Sequence, residues 1–332
     1  MPTVQKQFED FHSLIKLDED NEQAKLRQKR DILLEAFPDD VPSFEHFNQG
    51  SYSMHTGVVP PNDNYDIDVG IVFKCQKDKY PDPVVLKKKV RDALNTHGRN
   101  VSIRRSCVTV NYMRGEDVDY HVDLAIYVKR DDGLLDLAKG KENSSTNERF
   151  WEVSDPKQLK SLICTAFDDE VELAQYRRCI RYIKRWRDIQ FSNGGAPLSI
   201  ALTVAAKLWF QPHLETSGNP SDLIAMRDWI KELLSNFKPI PTDEGLHERL
   251  TVELPVSPYG DLMKKVTNIQ MDAFKQKLEA LLGDLEEAYY QELPEDACEL
   301  LNKQFGDDFR IPEKSTTAKS VTAPLISTGN AA

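Results

Sequence analysis

Residues 48–73 read NQGSYSMHTGVVPPNDNYDIDVGIVF, and the fold turns on how this stretch is read. Gly50-Ser51 make a small-residue turn, a loop through Pro60 and Pro61 follows, and Asp66-Ile67-Asp68 opens the apolar run Val69, Gly70, Ile71, Val72, Phe73. That run is strand-like. Residues two apart on a strand share a face, so Asp66 and Asp68 project together while Ile67 and Val69 turn to the core. Two carboxylates so placed repel one another, and the arrangement is tolerable chiefly with a cation between them. Hard oxygen ligands of this kind suit Mg²⁺, which is usually held by one or two carboxylates plus substrate phosphates. The Gly-Ser turn offers backbone N–H groups and a hydroxyl to triphosphate oxygens. An isolated DxD is often only solvated turn chemistry. Preceded by this turn and followed by a second acidic strand, it points to metal-dependent nucleotidyl transfer.

The second strand is VDYHVDLAIYV, residues 118–128. Asp119, His121, Asp123, Ala125 and Tyr127 share one face, and Tyr120, Val122, Leu124, Ile126 and Val128 the other. A charged residue inside such a strand needs a partner or a metal. Asp123 lies deepest in the apolar context, whereas Asp119 is nearer the turn and reads as solvated. His121 reads as structural. A strand-like run over 101–112, separated from this one by Arg114-Gly115-Glu116-Asp117, completes a hairpin signal.

Gly50-Ser51 with Thr56, then Asp66-x-Asp68, then one later strand carboxylate, resemble the nucleotidyltransferases of the DNA-polymerase-β-like superfamily. Within it the chain is most similar to the bacterial cGAS/DncV-like nucleotidyltransferases (CD-NTases), which make cyclic oligonucleotide signals in antiphage defence. The resemblance covers residues 44–290 and is more specific for the superfamily than for the product. It implies an α/β (α+β) fold: a polymerase-β-like palm with a mixed β-sheet at 1–155, braced by an N-terminal helix, a helical lobe at 156–311 closing over the nucleotide, and a flexible tail at 312–332. It makes Asp123 the third carboxylate and assigns two Mg²⁺ ions, with Mn²⁺ as a substitute, to Asp66, Asp68 and Asp123. It places triphosphate on Gly50, Ser51, Lys184 in its IKRW context, and Ser199. The implied substrates are NTPs, ATP among them with the second base open. The product would be a cyclic di- or trinucleotide read by a downstream effector. A ubiquitin-transfer-like partner acting on the C-terminal residue, Ala332, is also implied. A linear oligonucleotide synthase, or an enzyme that modifies tRNA or protein, would use the same carboxylates. A catalytically silent binding module is disfavoured by the joint presence of all these residues.

Composition agrees with a soluble enzyme. At 332 residues, 29% charged and 40% hydrophobic, the chain can bury a sizeable core. Its formal charge of −11 argues against a surface built for nucleic acid. Cysteines 75, 107, 164, 179 and 298 form no CxxC pair or zinc-spaced cluster, so a reduced cytoplasmic protein without structural zinc is expected. This departs from animal cyclic GMP-AMP synthase and counts against direct activation by DNA. No apolar run resembles a signal peptide or a membrane span.

Residues 4–37 read as helical up to Pro38, with Leu26, Leu33, Leu34 and Phe37 as an apolar stripe and Arg27, Lys29 and Arg30 as a solvated basic cluster. A short helix is expected after Asp82-Pro83, and 131–157 reads as a crossing segment. In 167–191, Leu173, Tyr176, Ile180 and Ile183 mark the buried face of a helix. Its Arg177, Arg178, Arg181, Lys184, Arg185 and Arg187 read one by one as a solvated basic face, Lys184 excepted. Ser199 follows a helix break at Gly194-Gly195-Ala196-Pro197. Helices are expected over 221–237, with Ser221-Asp222 as cap, and over 261–290; LTVELPV, 250–256, is strand-like. The tail from Pro312 is small, polar and aperiodic, and reads as disordered.

Overall fold

The computed structural model describes residues 4–17, 22–37, 41–61, 65–96, 99–114, 117–243 and 245–313. The tail residues 314–332, including Ala332, and the side chains of Leu26 and Asp119 lie outside the described residues. Two helices open the chain, α1 (Gln5–Ile15) and α2 (Glu22–Glu35). Then come β1 (Phe44–Asn48), the single turn α3 (Gly50–Ser53), β2 (Tyr65–Phe73) and α4 (Pro83–Leu94). Five strands follow: β3 (Arg99–Ile103), β4 (Val108–Arg114), β5 (Asp117–Lys129), β6 (Leu135–Lys139) and β7 (Phe150–Ser154). Four helices succeed them, α5 (Pro156–Cys164), α6 (Glu170–Gln190), α7 (Ser199–Trp209) and α8 (Asp222–Ser235). A hairpin, β8 (Lys238–Thr242) with β9 (Gly245–Arg249), precedes α9 (Asn268–Tyr290) and α10 (Pro294–Phe305).

The sheet is mixed, as expected. Its order is β1-β2-β5-β4-β3, with β6 beside the end of β5 and β7 beside β6. Only the β2–β5 pair is parallel among the described strands; β1–β2, β3–β4, β4–β5, β5–β6 and β6–β7 are antiparallel. Ile67, Val69, Ile71 and Phe73 of β2 and Val122, Leu124, Ile126 and Val128 of β5 are buried on one face, against Leu86, Val90 and Leu94 of α4 and Leu33 of α2. The opposite face therefore carries the aspartates of both strands, and it is the face turned to α6 and α7. Asp82 begins α4 by accepting a hydrogen bond from the Val84 amide, with Pro83 at the first helical position.

The helical side has its own core. Tyr176, Ile180 and Ile183 of α6 pack with Phe8, Phe11 and Ile15 of α1 and with buried residues of α7 to α10. The first helical run is thus two helices in two places. Lys16 ends α1 in extended conformation and bridges to Val58, so α1 joins the helical core while Leu33 of α2 joins the sheet. Five other expectations are corrected. Residues 101–112 are two strands, because Arg104 to Cys107 turn the chain back. The supposed crossing at 131–157 supplies β6 and β7, whose Leu135 and Leu137 cover Ala125 and Tyr127. LTVELPV is no strand: Leu250, Val252 and Val256 are buried in the helical core, and the paired strands lie just upstream. The last long helix starts at the Thr267/Gln270 capping box rather than at Asp261, and Ser221 makes no side-chain cap bond.

A buried carboxylate ties three helices together. Asp222, fully buried at the start of α8, accepts from Arg178 Nε at 2.7 Å and Nη2 at 2.8 Å, from Tyr182 Oη at 2.9 Å and from Gln175 Nε2 at 3.1 Å, while Gln5 of α1 accepts from its amide. Removing one partner of such a pair strands the other charge. Asp222→Ala is expected to cost about 3–5 kcal/mol, seen as a fall in Tm of roughly 2–4 °C per kcal/mol. A thermal melt within about 2 °C of wild type would show that the network contributes little.

Candidate active site

The parallel pairing of β2 with β5 decides the geometry. Asp68 is in register with Asp123 and Asp66 with His121, so the two acidic strands bring their carboxylates to adjacent positions on one face. On the far side of β5, Thr109 of β4 is in register with Asp123 and donates its hydroxyl proton to Asp123 Oδ1 at 2.5 Å. The row across the sheet is Asp68, Asp123, Thr109. Asp66 and Asp68 line a cavity of about 440 Å³ with Gln49, Gly50, Ser51, Thr56, Lys184 and Ser199; Asp123 lies beside it, outside the lining.

Burial and mutual repulsion shape the acids. Burial, followed by the charges of Asp66 and Asp123, pushes Asp68 up to about 7, with Lys184 opposing. Asp66 meets solvent at the cavity yet is enclosed by protein elsewhere, and the enclosure raises it too; His121 opposes and Asp123 adds. The Gly50 turn is pressed against this strand. Gly50 has φ +68°, and a Cβ there would overlap the Asp68 carboxyl. The Gln49 amide donates to the Asp68 carbonyl at 3.0 Å, which holds turn and strand together.

The other wall is α6. Three of its cations, Arg181, Lys184 and Arg185, are not the solvated face expected from the sequence for the arginines, because they dock on the backbone that follows the turn. Lys184 Nζ donates to Thr56 O and Oγ1, both at 3.0 Å. Arg181 Nε donates to Gly57 O at 3.1 Å and its Nη2 to His55 O, while Arg185 Nη2 donates to Val59 O at 2.9 Å. His55, at φ 55°, is thereby held in a left-handed conformation that non-glycine residues seldom adopt. The N-terminal cluster also has partners: Arg27 donates to Tyr52 Oη, Arg30 to Asn48 Oδ1, and Lys29 lies over the Tyr112 and Tyr120 rings. Burial, then neighbouring Arg181, lowers Lys184 to about 7, against the pull of Asp66. Ser199 is the first residue of α7, so the open amides and positive end of that helix face the cavity.

All seven residues expected at the site are thus near one another: six line the cavity and Asp123 adjoins it. The sequence reading missed Asp188, Tyr127, Gln49, Thr203 and Thr109. Asp188 lies one turn beyond Lys184 on α6 and also lines the cavity, so i,i+4 spacing could have found it. Tyr127 shares the Asp123 face and donates to Gln49 Oε1 at 3.1 Å. Thr109 was hidden by reading β3 and β4 as one strand.

Whether the residues suit a divalent ion is a question of donor chemistry. Among the described residues no three His, Cys, Asp or Glu side chains are arranged to hold a metal by themselves. Two adjacent hard carboxylates, both raised by burial and then by neighbouring carboxylates, and facing a cavity with a lysine opposite, fit an ion that shares its coordination with phosphate oxygens. No helix among the described residues is long and apolar enough to cross a membrane.

Residues 44–127 match the family model described as Cyclic GMP-AMP synthase DncV-like, nucleotidyltransferase domain. A cyclic GMP-AMP synthase of Escherichia albertii is 27% identical over 196 residues, 56% of this chain and 41% of that protein. The chain therefore aligns with about two fifths of that curated relative's length. The Bradyrhizobium diazoefficiens CD-NTase CdnG, solved with GTP, superposes with a TM-score of 0.71 at 14% identity, covering 92% of this chain and 96% of that one. Vibrio cholerae di-nucleotide cyclase DncV gives 0.62 at 19% identity, covering 93% and 87%. At these identities the solved structures show a shared fold.

The electrostatics predict a pH-dependent stability. Asp68 is held at about 7 in the folded chain against 3.8 ordinarily, so between those values the fold binds a proton that the unfolded chain does not. Stability from this group is greatest at low pH and falls as pH rises toward 7. Asp68→Asn should therefore raise Tm, measured with a metal chelator present, and by more at about pH 8 than at about pH 5. An equal difference at both would contradict the raised Asp68 carboxyl. Gly50→Ala should displace the Asp68 carboxyl and lower activity by at least about tenfold, whereas retained activity with an unchanged melt would show that the turn yields freely.

Proposed function

We infer the activity of this chain from its membership of the bacterial cGAS/DncV-like nucleotidyltransferases, and propose that it joins nucleoside triphosphates into a cyclic di- or trinucleotide signal for antiphage defence. The observation that carries this reading is one cavity with paired carboxylates on the sheet side and a buried lysine with a helix N-terminus on the other. That is the division of charge a nucleoside triphosphate needs.

In the proposed reaction the oxygen of a ribose hydroxyl forms a bond to the α-phosphorus of a bound NTP, the hydroxyl proton is lost, and the bond to pyrophosphate breaks. Mg²⁺ or Mn²⁺ held by Asp66 and Asp68, with Asp123 nearby, would neutralise phosphate charge and acidify the attacking hydroxyl. Lys184 places a point charge against the triphosphate, and its bonds to Thr56 fix where that charge sits. Ser51 and the Ser199 end of α7 present hydroxyl and amide donors to the same phosphates. The role proposed for Asp123, which is in register with Asp68, is to help orient and acidify the attacking hydroxyl. The helical side is proposed to close over the nucleotide. A second such reaction would close the ring. The five free cysteines suit a cytoplasmic setting. A downstream effector activated by the cyclic product belongs to this reading, and so does conjugation through Ala332, a residue outside those described.

Incubation with the four NTPs, one labelled at a time, in Mg²⁺ or Mn²⁺, should yield a labelled product that resists phosphatase. A phosphatase-sensitive product would mean a linear synthase instead. The Asp66→Asn, Asp68→Asn double variant should form no product while melting no lower than wild type, since volume is kept and like charges are removed. Lys184→Ala should raise the apparent KM for NTP by roughly tenfold or more with a smaller change in kcat. Unchanged kinetics would mean that Lys184 serves only to hold Thr56.

A further inference from the structure

Asp123 is held by a second interaction that the proposed chemistry does not by itself require. Thr109 is fully buried on β4, directly across the ladder from Asp123, and its hydroxyl is the donor in a 2.5 Å bond to Oδ1. A carboxylate accepts only, so the bond fixes which oxygen is engaged and leaves Oδ2 as the other. The Thr109 hydroxyl is itself restrained. Cys107 Sγ, two residues back on the same side of the strand, lies 3.7 Å from Oγ1. Threonine has a stiff χ1, and the paired backbones of β4 and β5 hold its Cβ in place. The carboxylate thus hangs from a rigid sheet position by a charge-assisted bond, a strong class of hydrogen bond.

We propose that Thr109 is a positioning residue: it holds Asp123 Oδ1 so that Oδ2 alone is presented toward Asp68 and the reacting nucleotide. This rests on the reading of Asp123 as the third carboxylate. Valine in the place of Thr109 would have nearly the same shape but no hydroxyl, and Asp123 could then rotate about its χ2 toward either neighbour. Group loss of this kind behind a metal-binding or catalytic carboxylate typically costs about 10- to 100-fold in affinity or rate.

The test compares Thr109→Ser with Thr109→Ala in the full chain, since these two differ in the hydroxyl alone. Three readouts are taken: kcat and KM for NTP, binding of Mn²⁺ followed by the electron paramagnetic resonance of the free ion, and Tm. The expected result is that Thr109→Ala lowers kcat by about 10- to 100-fold with KM little changed and weakens Mn²⁺ binding by a similar factor, while Thr109→Ser stays within about threefold of wild type on both. Equal kcat and equal Mn²⁺ binding in the two variants, whether both high or both low, would overturn the proposal and leave Thr109 as a strand residue. Asp123→Asn serves as the control. If it keeps full activity, the reading of the site fails and this proposal falls with it; if it is inactive while the Ser and Ala variants match, only the role of Thr109 is lost.

Discussion

Three cations on one helix hold four carbonyl groups on a segment that would otherwise be a free loop. Lys184, Arg181 and Arg185 of α6 take the carbonyls of Thr56, of His55 and Gly57, and of Val59, and they do so while buried. Carbonyl oxygens satisfy the donors but carry no full charge, and of the three cations Lys184 lines the cavity beside the loop while Arg185 also pairs with Asp308. The same bonds join the sheet to the helices, because residues 55–59 run directly from the turn that abuts Asp68 to the bridge between Val58 and Lys16 at the end of α1. Without these bonds the two apolar cores would still form, but their relative placement would lose a polar fastening.

On the sheet side the constraint is the parallel register. Had β5 slipped by one residue against β2, Asp123 would face the packed side with Leu86 and Val90, where no partner awaits it. The apolar alternation of both strands forbids this slip, so the hydrophobic effect places the carboxylates side by side despite their repulsion. Gly50 completes the arrangement by its lack of a side chain. The close approach of the turn to Asp68 leaves no room for a Cβ, and the positive φ is one that glycine adopts without strain.

How much of this could be read beforehand follows from the range of each interaction. The DxD strand, the second acidic strand and the face that each carboxylate occupies are set by period-two alternation, which is local and visible in residues 65–73 and 118–128. Gly50 and Ser51 could be placed near the aspartates because a short turn cannot lie far from the strand it precedes. Arg181 and Arg185 were misread because their partners are backbone carbonyls more than a hundred positions away, and a carbonyl leaves no mark in a sequence. Strands β6 and β7 were missed for a related reason. Their Leu135 and Leu137 sit among Asp, Gly and Lys residues that read as loop, and only the exposed edge of β5 turns the segment into sheet. Thr109 needed the Arg104–Cys107 turn, where the residues fit a strand nearly as well as a bend.

The charges on the two sides of the cavity are each held away from their ordinary state in opposite senses. Asp66 is raised by burial and by Asp123, Asp68 by burial and by Asp66 and Asp123, and Lys184 is lowered by burial and by Arg181. Positive charge added at the aspartates would ease them but further disfavour the ammonium; phosphate added at Lys184 would ease the lysine but further disfavour the carboxylates. Each single addition thus relieves one wall at the expense of the other. A ligand that brings a cation and a triphosphate together relieves both walls at once. Under the proposed function the site would therefore favour a metal–nucleotide complex as a unit, a preference that would arise from burial on both walls and need no contact with the base.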